Sequence, residues 1–362
     1  MTTYAIGRNM FDLDTPVLCL DAAKLERNIA RMAAFFEGRP ARLRPHSKTH
    51  KCPTIAWMQM RAGAIGITCA KLGEAEVMAQ AGLRDLLIAN QILGADKIAR
   101  LINLAAYSEV MVAVDDAANA QELSDAANAK GIALRTIIEV DVGMGRCGTL
   151  PGEETLRLAG KMVALPGLRF EGIMGYEGHT VMAPDMDKRR AAAEAAMAQL
   201  VATHDLLVQQ GIRCDIVSAG GTGTYHITGA YPGITEVEAG SYATMDAKYH
   251  SVGSDFELAL TLLARVISVR GDRAIINAGM KAMTHEFGMP TVLHPEGWAL
   301  AKLSEEHGIL ERQGGAPLQR GDVVELLPSH GCTTINLHDN YHVTRNDVVE
   351  AVWPIAARGC IR

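Results

Sequence analysis

The sequence predicts a closed (β/α)8 TIM barrel followed by a C-terminal antiparallel β domain, on three observations. The first is a beat of strand and helix. Eight short β-prone apolar runs, at 42–48, 64–70, 85–91, 109–116, 135–143, 170–178, 214–221 and 234–242, alternate with amphipathic helical stretches. The helices read at 54–62, 72–80, 95–104, 117–130, 153–164 and 187–210, with 21–36 ahead of the first strand. Strands joined by helical crossovers are parallel, and eight of them suit a closed barrel. An open doubly wound sheet is the rival, but it normally has fewer strands. The second observation is length: 362 residues fit a barrel of about 250 plus a smaller module. The third is a change of rhythm after about residue 258, where 258–270, 273–278, 322–327 and 347–353 read as strands with little helix between them. The expected domains are an N-terminal segment 1–20 that pairs with the β domain, a barrel 21–255 and a β domain 256–362. The glycine-rich stretch after Gly221 carries the weakest helical signal.

Bulk composition narrows the classes. Hydrophobic residues at 48% and charged residues at 21% are those of a globular protein. A net charge of −6 with no basic run argues against nucleic acid and anionic membranes as partners. The first residues lack an apolar signal core, and no apolar run reaches the roughly 18 residues of a membrane helix. Seven cysteines at irregular spacing, without C-x-x-C pairs, suggest reduced thiols and a cytoplasmic protein.

In such barrels chemistry collects at the C-terminal strand ends. The first strand ends Arg44-Pro45-His46-Ser47-Lys48-Thr49-His50-Lys51. A lysine there, among other cations, favours the free amine that attacks an aldehyde; spacing alone favours a solvated basic loop. The fifth strand ends in Glu139 and Asp141, followed by Gly143, Gly145 and Arg146, a fixed cation for an anionic oxygen or a simple turn. The sixth ends Tyr176-Glu177-Gly178-His179, where Tyr and His suit ring contact or proton transfer. Glycine and hydroxyl residues close the seventh strand (Gly221, Thr222, Gly223) and the eighth (Gly240, Ser241, Tyr242). Two such turns at this position suit a phosphate cradle of backbone N–H groups. In the second domain His330 and Cys332, two residues apart, point to one face if the segment is extended, and both are ligands for a borderline-soft ion; a buried Cys beside a hydrogen-bonded His is the competing reading.

These motifs, taken in order, resemble the D-threonine aldolase and D-serine dehydratase family. Its members are fold-type III pyridoxal 5′-phosphate (PLP) enzymes whose barrel is related to that of alanine racemase. The resemblance runs from Asp14-Thr15-Pro16 through the Lys48 segment, Glu139–Gly148, Gly220–Gly223 and Ala239–Tyr242 to Pro328-Ser329-His330 and Asn336–Asp339, nearly the whole chain. It implies that Lys48 carries PLP as an imine, with His46 close by, Arg146 beside the cofactor ring and Tyr176 near it. It implies that Gly221, Thr222, Gly223, Gly240, Ser241 and Tyr242 form the rest of the cofactor site, and that His330 binds a divalent metal, Zn²⁺ or Mn²⁺, with Cys332. A homodimer acting on a D-amino acid follows from the same likeness. Three positions depart from the aldolase pattern. Cys332 stands where aldolases carry Asp and dehydratases carry Cys; Met182 stands where aldolases carry His, with His179 three residues earlier; Asn277 replaces an Asp.

The expected reaction is β-elimination from a D-3-hydroxy-α-amino acid to a 2-oxo acid and ammonia, with Lys48 taking the Cα proton. Retro-aldol cleavage to glycine and an aldehyde is the alternative. A racemase needs a second base that the sequence does not supply, and non-catalytic PLP carriers resemble the barrel alone.

Overall fold

The computed structural model describes residues 5–253 and 255–362. Residues 1–4 of the expected N-terminal segment and residue 254 of the expected barrel lie outside them. After β1 (Val17–Asp21) and α1 (Ala22–Phe36) the chain alternates through β2 (Arg42–Leu43), α2 (Pro53–Arg61), β3 (Ile67–Cys69), α3 (Leu72–Gln80), β4 (Asp85–Ile88) and α4 (Ala95–Ala105). It continues through β5 (Glu109–Val114), α5 (Ala117–Lys130), β6 (Leu134–Glu139), α6 (Glu153–Met162), β7 (Leu168–Gly175), α7 (Met186–Gln209), β8 (Ile216–Ala219), α8 (Tyr225–Thr228) and β9 (Glu236–Val237). Helix limits follow from local chemistry. In α5, the Asp116 carboxylate accepts the N–H groups of Ala118 and Asn119, and Gly131 ends the helix at φ +70°.

Strands β2 to β9 form one parallel sheet in the order β2-β9-β8-β7-β6-β5-β4-β3. The ring closes beyond β2, where Ser47 N donates to Thr68 O at 2.7 Å and Thr68 N to Pro45 O at 2.9 Å. Leu87, Met111, Ala113, Ile137, Met174 and Ile216, from five neighbouring strands, form a buried cluster. Arg44, 2% exposed, donates to both oxygens of Glu236 at 2.9 and 2.8 Å and to Asp85 at 2.7 Å. Its charge is paired through good geometry, which is what makes its burial tolerable.

The later chain holds α9 (Ala247–Ser251), β10 (Leu260–Arg270), β11 (Arg273–Ile276), β12 (Thr291–His294), β13 (Trp298–Leu303), β14 (Gly308–Arg312), β15 (Val323–Leu327), α10 (Gly331–Ile335), β16 (Asn340–Arg345) and β17 (Val348–Pro354). These strands and β1 form a mostly antiparallel sheet, the exception being the parallel pair β1 and β16. Strands β12, β13, β14 and β16 escape the sequence reading for a physical reason. They are four to six residues long, and polar residues interrupt each run, as in the Asn340, His342 and Arg345 of β16. Strand β1 lies antiparallel to β10, and Asn277 donates to the Thr15 carbonyl at 2.8 Å.

The chain divides into two compact units. One comprises the described residues up to Arg31, Thr49–Thr54 and Ser241–Gly359; the other comprises Met32–Lys48, Ile55–Gly240 and Cys360–Arg362. The units interleave along the sequence, and the chain passes between them at Lys48–Thr49 and at Gly240–Ser241. Among the described residues no helix is long and apolar enough to cross a membrane.

Candidate active site

In the barrel unit Lys48 lies on the turn that follows β2, half-buried, its Nζ 5.4 Å from the centre of the Tyr176 ring. His46, buried, accepts the Lys48 N–H on Nδ1 at 3.3 Å and so shapes that turn. Tyr176 follows the end of β7, and the Gly220–Gly223 turn lies against it. A Cβ on Gly221 would come 3.1 Å from Tyr176 Cε2, so glycine is what allows the approach. Gly220 itself sits at φ +85°. Buried Thr222 adds a hydroxyl to the turn.

Arg146 is half exposed, with Nη2 3.4 Å from Glu139 Oε1; Glu139 Oε2 accepts from Gln91 Nε2 at 2.6 Å. The preceding turn is tied by Asp141, whose Oδ1 accepts the N–H groups of Gly143 and Gly145, both at 3.0 Å. Burial works against the Asp141 charge, but those amides, that of Met144 and nearby His179 hold its carboxyl below the usual range. His179 is exposed and lies along Gly143, where a Cβ would stand 3.0 Å from the imidazole Cε1.

Two interior carboxylates complete this cluster, and sequence reasoning assigned neither a role. Glu177 is 0% exposed and is bonded to the Gly220–Thr228 segment. Glu238 accepts from Ser218 Oγ at 2.8 Å. Burial pushes its carboxyl up to about 7; the Ser218 hydrogen bond opposes this, Glu236 adds to it, and the charges of Lys48 and Arg44 oppose it. The signal for Glu177 was in plain view, since it lies inside the motif that contains Tyr176 and His179.

In the other unit His330 and Cys332 come together, but not on an extended segment as the sequence reading had it. His330 is the extended N-cap residue of α10, and Cys332 lies in the helix's first turn. The cap geometry turns the chain so that the imidazole and the thiol still hydrogen-bond. His330 Nδ1 is 2.8 Å from Glu286 Oε1, and Glu286 also accepts from the Thr333 hydroxyl. Burial alone would lower the His330 pKa. The hydrogen bond and charge of Cys332, the charge of Asp246 and the bond to Glu286 outweigh it and raise it to about 9. Burial likewise opposes the Glu286 charge, yet hydrogen bonds from Thr333, Thr284 and His330 hold its carboxyl at about 2. Asp246, fully buried, accepts Gly331 N and Tyr249 N, both at 2.9 Å. Thr49 Oγ1 lies 3.2 Å from Cys332 Sγ and 3.4 Å from Ser241 Oγ. Tyr242 is fully buried, with its ring 5.4 Å from that of Phe256, so its side chain is part of the core. His338 is held by the Ala282 carbonyl at 2.7 Å.

Among the described residues no three His, Cys, Asp or Glu side chains gather to hold a metal ion, but His330 and Cys332 have the chemistry of two ligands to a divalent cation. An imidazole whose Nδ1 is fixed by a carboxylate offers Nε2, and the Cys332 sulfur stands beside it. The barrel cluster fits PLP in the same sense: a half-buried primary amine, an aromatic ring and a glycine turn bearing hydroxyls.

Comparison with known proteins agrees with this geometry. The model of the alanine racemase N-terminal domain matches residues 20–248, and that of a serine dehydratase domain matches residues 259–344. The chain is 39% identical to a D-threonine aldolase of Arthrobacter sp., over 98% of this chain and 96% of the relative. The crystal structure of D-threonine aldolase from Filomicrobium marinum superposes with a TM-score of 0.96 at 36% identity, covering 99% of both chains. D-threo-3-hydroxyaspartate dehydratase from Delftia sp. HT23 superposes at 0.88 with 29% identity, over 96% of this chain and 98% of that one. That dehydratase has been solved as a His-to-Ala and a Cys-to-Ala variant two positions apart, the latter in a metal-free form. The alternating barrel and the mostly antiparallel sheet are thus those of a known family: the chain belongs to the family of D-threonine aldolases and D-3-hydroxyaspartate and D-serine dehydratases built on the alanine racemase barrel.

Proposed function

We propose that the protein is a PLP- and divalent-metal-dependent lyase that eliminates water from a D-3-hydroxy-α-amino acid, giving a 2-oxo acid and ammonia. The observation that carries this reading is the Cys332 thiol hydrogen-bonded to His330, with Glu286 behind the imidazole. The pair has the spacing of the two substituted positions in the Delftia dehydratase.

Lys48 would hold PLP covalently, and the Gly221–Gly223 turn with Gly240 and Ser241 would hold its phosphate. Bound there, PLP supplies an electron sink for charge developing at Cα. The Lys48 amine, which lies 5.4 Å from the centre of the Tyr176 ring, would take the Cα proton. Arg146, braced by Glu139, would lie beside the cofactor ring. His330 and Cys332 would hold Zn²⁺ or Mn²⁺, which supplies Lewis acidity to the β-hydroxyl. Tyr176 and His179 are the remaining candidates for proton movement at the hydroxyl. A cytoplasmic homodimer completes the reading.

Retro-aldol cleavage is the second reading, favoured by the 39% identity to a D-threonine aldolase. The two part in a single assay. The holoprotein with Zn²⁺ or Mn²⁺ is given D-serine and D-threonine separately, and products are identified by mass. A 2-oxo acid with ammonia supports elimination. Glycine with acetaldehyde from D-threonine overturns it in favour of the aldolase.

A further inference from the structure

The best-bonded carboxylate of the barrel cluster has no part in the reaction just outlined. Glu177 is 0% exposed. Its Oε1 accepts the hydroxyls of Thr224 at 2.6 Å and Thr228 at 2.5 Å, and its Oε2 accepts Gly220 N at 3.0 Å. Its own carbonyl accepts Thr180 N and Thr180 Oγ1, both at 2.9 Å. Among the described residues it forms no ion pair, and its side-chain partners are neutral donors. Such a group is stable only while each of those bonds is made.

The donors are not scattered. Gly220 opens the glycine turn in a left-handed conformation. Thr224 closes it, with Thr224 N donating to Gly221 O at 3.1 Å and Gly221 N reaching Thr224 Oγ1 at 3.3 Å. Thr228 ends α8. One carboxylate therefore pins both ends of the turn that contains Gly221, Thr222 and Gly223. It is also the residue after Tyr176, whose ring lies under Gly221.

A carboxylate next to a phosphate cradle is electrostatically adverse, so its contribution must be positional. We infer that Glu177 is a positioning residue: it sets the Gly220–Thr224 turn in the form that receives a phosphate monoester, and it couples that turn to the Tyr176 strand end. The inference rests on the reading of this turn as the phosphate site. Glutamine cannot replace Glu177, because its amide oxygen can accept the two threonine hydroxyls only by turning an NH₂ donor towards the Gly220 N–H.

The test compares PLP with pyridoxal, which lacks the phosphate. Protein freed of cofactor is titrated with each, by absorbance, for wild type, Glu177→Gln and Thr228→Val. Wild type should prefer PLP strongly. Glu177→Gln should weaken PLP binding by roughly 30-fold and pyridoxal binding by less than about 3-fold, and Thr228→Val should shift the same ratio by a smaller factor. A merely structural role would weaken both ligands alike. If wild type prefers PLP and neither variant changes the ratio, the role of Glu177 is wrong while the phosphate site stands. If wild type binds the two equally, the phosphate site itself is wrong. Should Glu177→Gln fail to fold, Thr228→Val decides alone.

Discussion

The barrel cluster around Lys48 and the β-unit cluster around His330 hold carboxylates in opposite ways. Glu177 and Glu238 are sealed inside the barrel, and their hydrogen-bond donors are hydroxyls and a backbone amide. Glu286 is more than a third exposed and faces the His330 imidazole, whose pKa Cys332, Asp246 and Glu286 raise. A sealed carboxylate with neutral partners fixes geometry, since any displacement leaves unsatisfied polar atoms. A wet carboxylate on a histidine tunes the basicity and orientation of that histidine. The barrel has been built for position and the β unit for charge, as expected if one binds an organic cofactor and the other a cation.

Mutations can break this contrast. The largest effect expected is that of Lys48→Ala: loss of turnover by about 10⁴-fold or more, with loss of the absorbance band of covalently bound PLP. Retained turnover would remove Lys48 from the mechanism. Cys332→Ala should lower turnover by about 100-fold and strip the metal, measured as metal content after gel filtration. Full activity without added metal would refute the metal role. Glu286→Gln sharpens the comparison, because it keeps the shape and removes the charge. It should weaken divalent metal binding by about 10- to 100-fold in a chelator competition, with PLP affinity unchanged.

The smallest effect is on stability. The Glu238 carboxyl rises from 4.5 to about 7 in the folded protein, so the fold binds that proton more tightly than the unfolded chain does. Stability then falls as pH rises from about 4.5 to about 7, and the penalty is complete above that range. Glu238→Gln removes the penalty. The variant should gain on wild type between pH 5 and pH 8 by at most about 3 kcal/mol, read from denaturant unfolding of cofactor-free protein at the two values. An equal difference at both pH values would mean that Glu238 does not titrate there.

Much of this architecture was legible in the sequence. Helices α3 and α5 span 72–80 and 117–130, where their helical patterning puts them. The Lys48, Tyr176 and Gly220–Gly223 motifs stand at strand ends because a barrel strand must hand over to a turn there. The β unit was harder to read. Its strands β12 to β14 are short and carry polar residues within four to six positions, and the two-residue spacing of His330 and Cys332 suggested an extended segment where α10 begins.

Local periodicity and turn chemistry determine local structure, because helix and strand faces repeat within a few residues. That is why the sequence by itself determined the barrel beat and the positions of its strand ends. The tertiary structure alone decided which polar atoms meet. Glu177 finds Thr224 and Thr228 at separations of 47 and 51 residues, Glu286 finds His330 at 44, and Thr49 finds Cys332 at 283. Such pairings depend on sheet order and register, which bring distant strand ends together, and no window of sequence contains both partners.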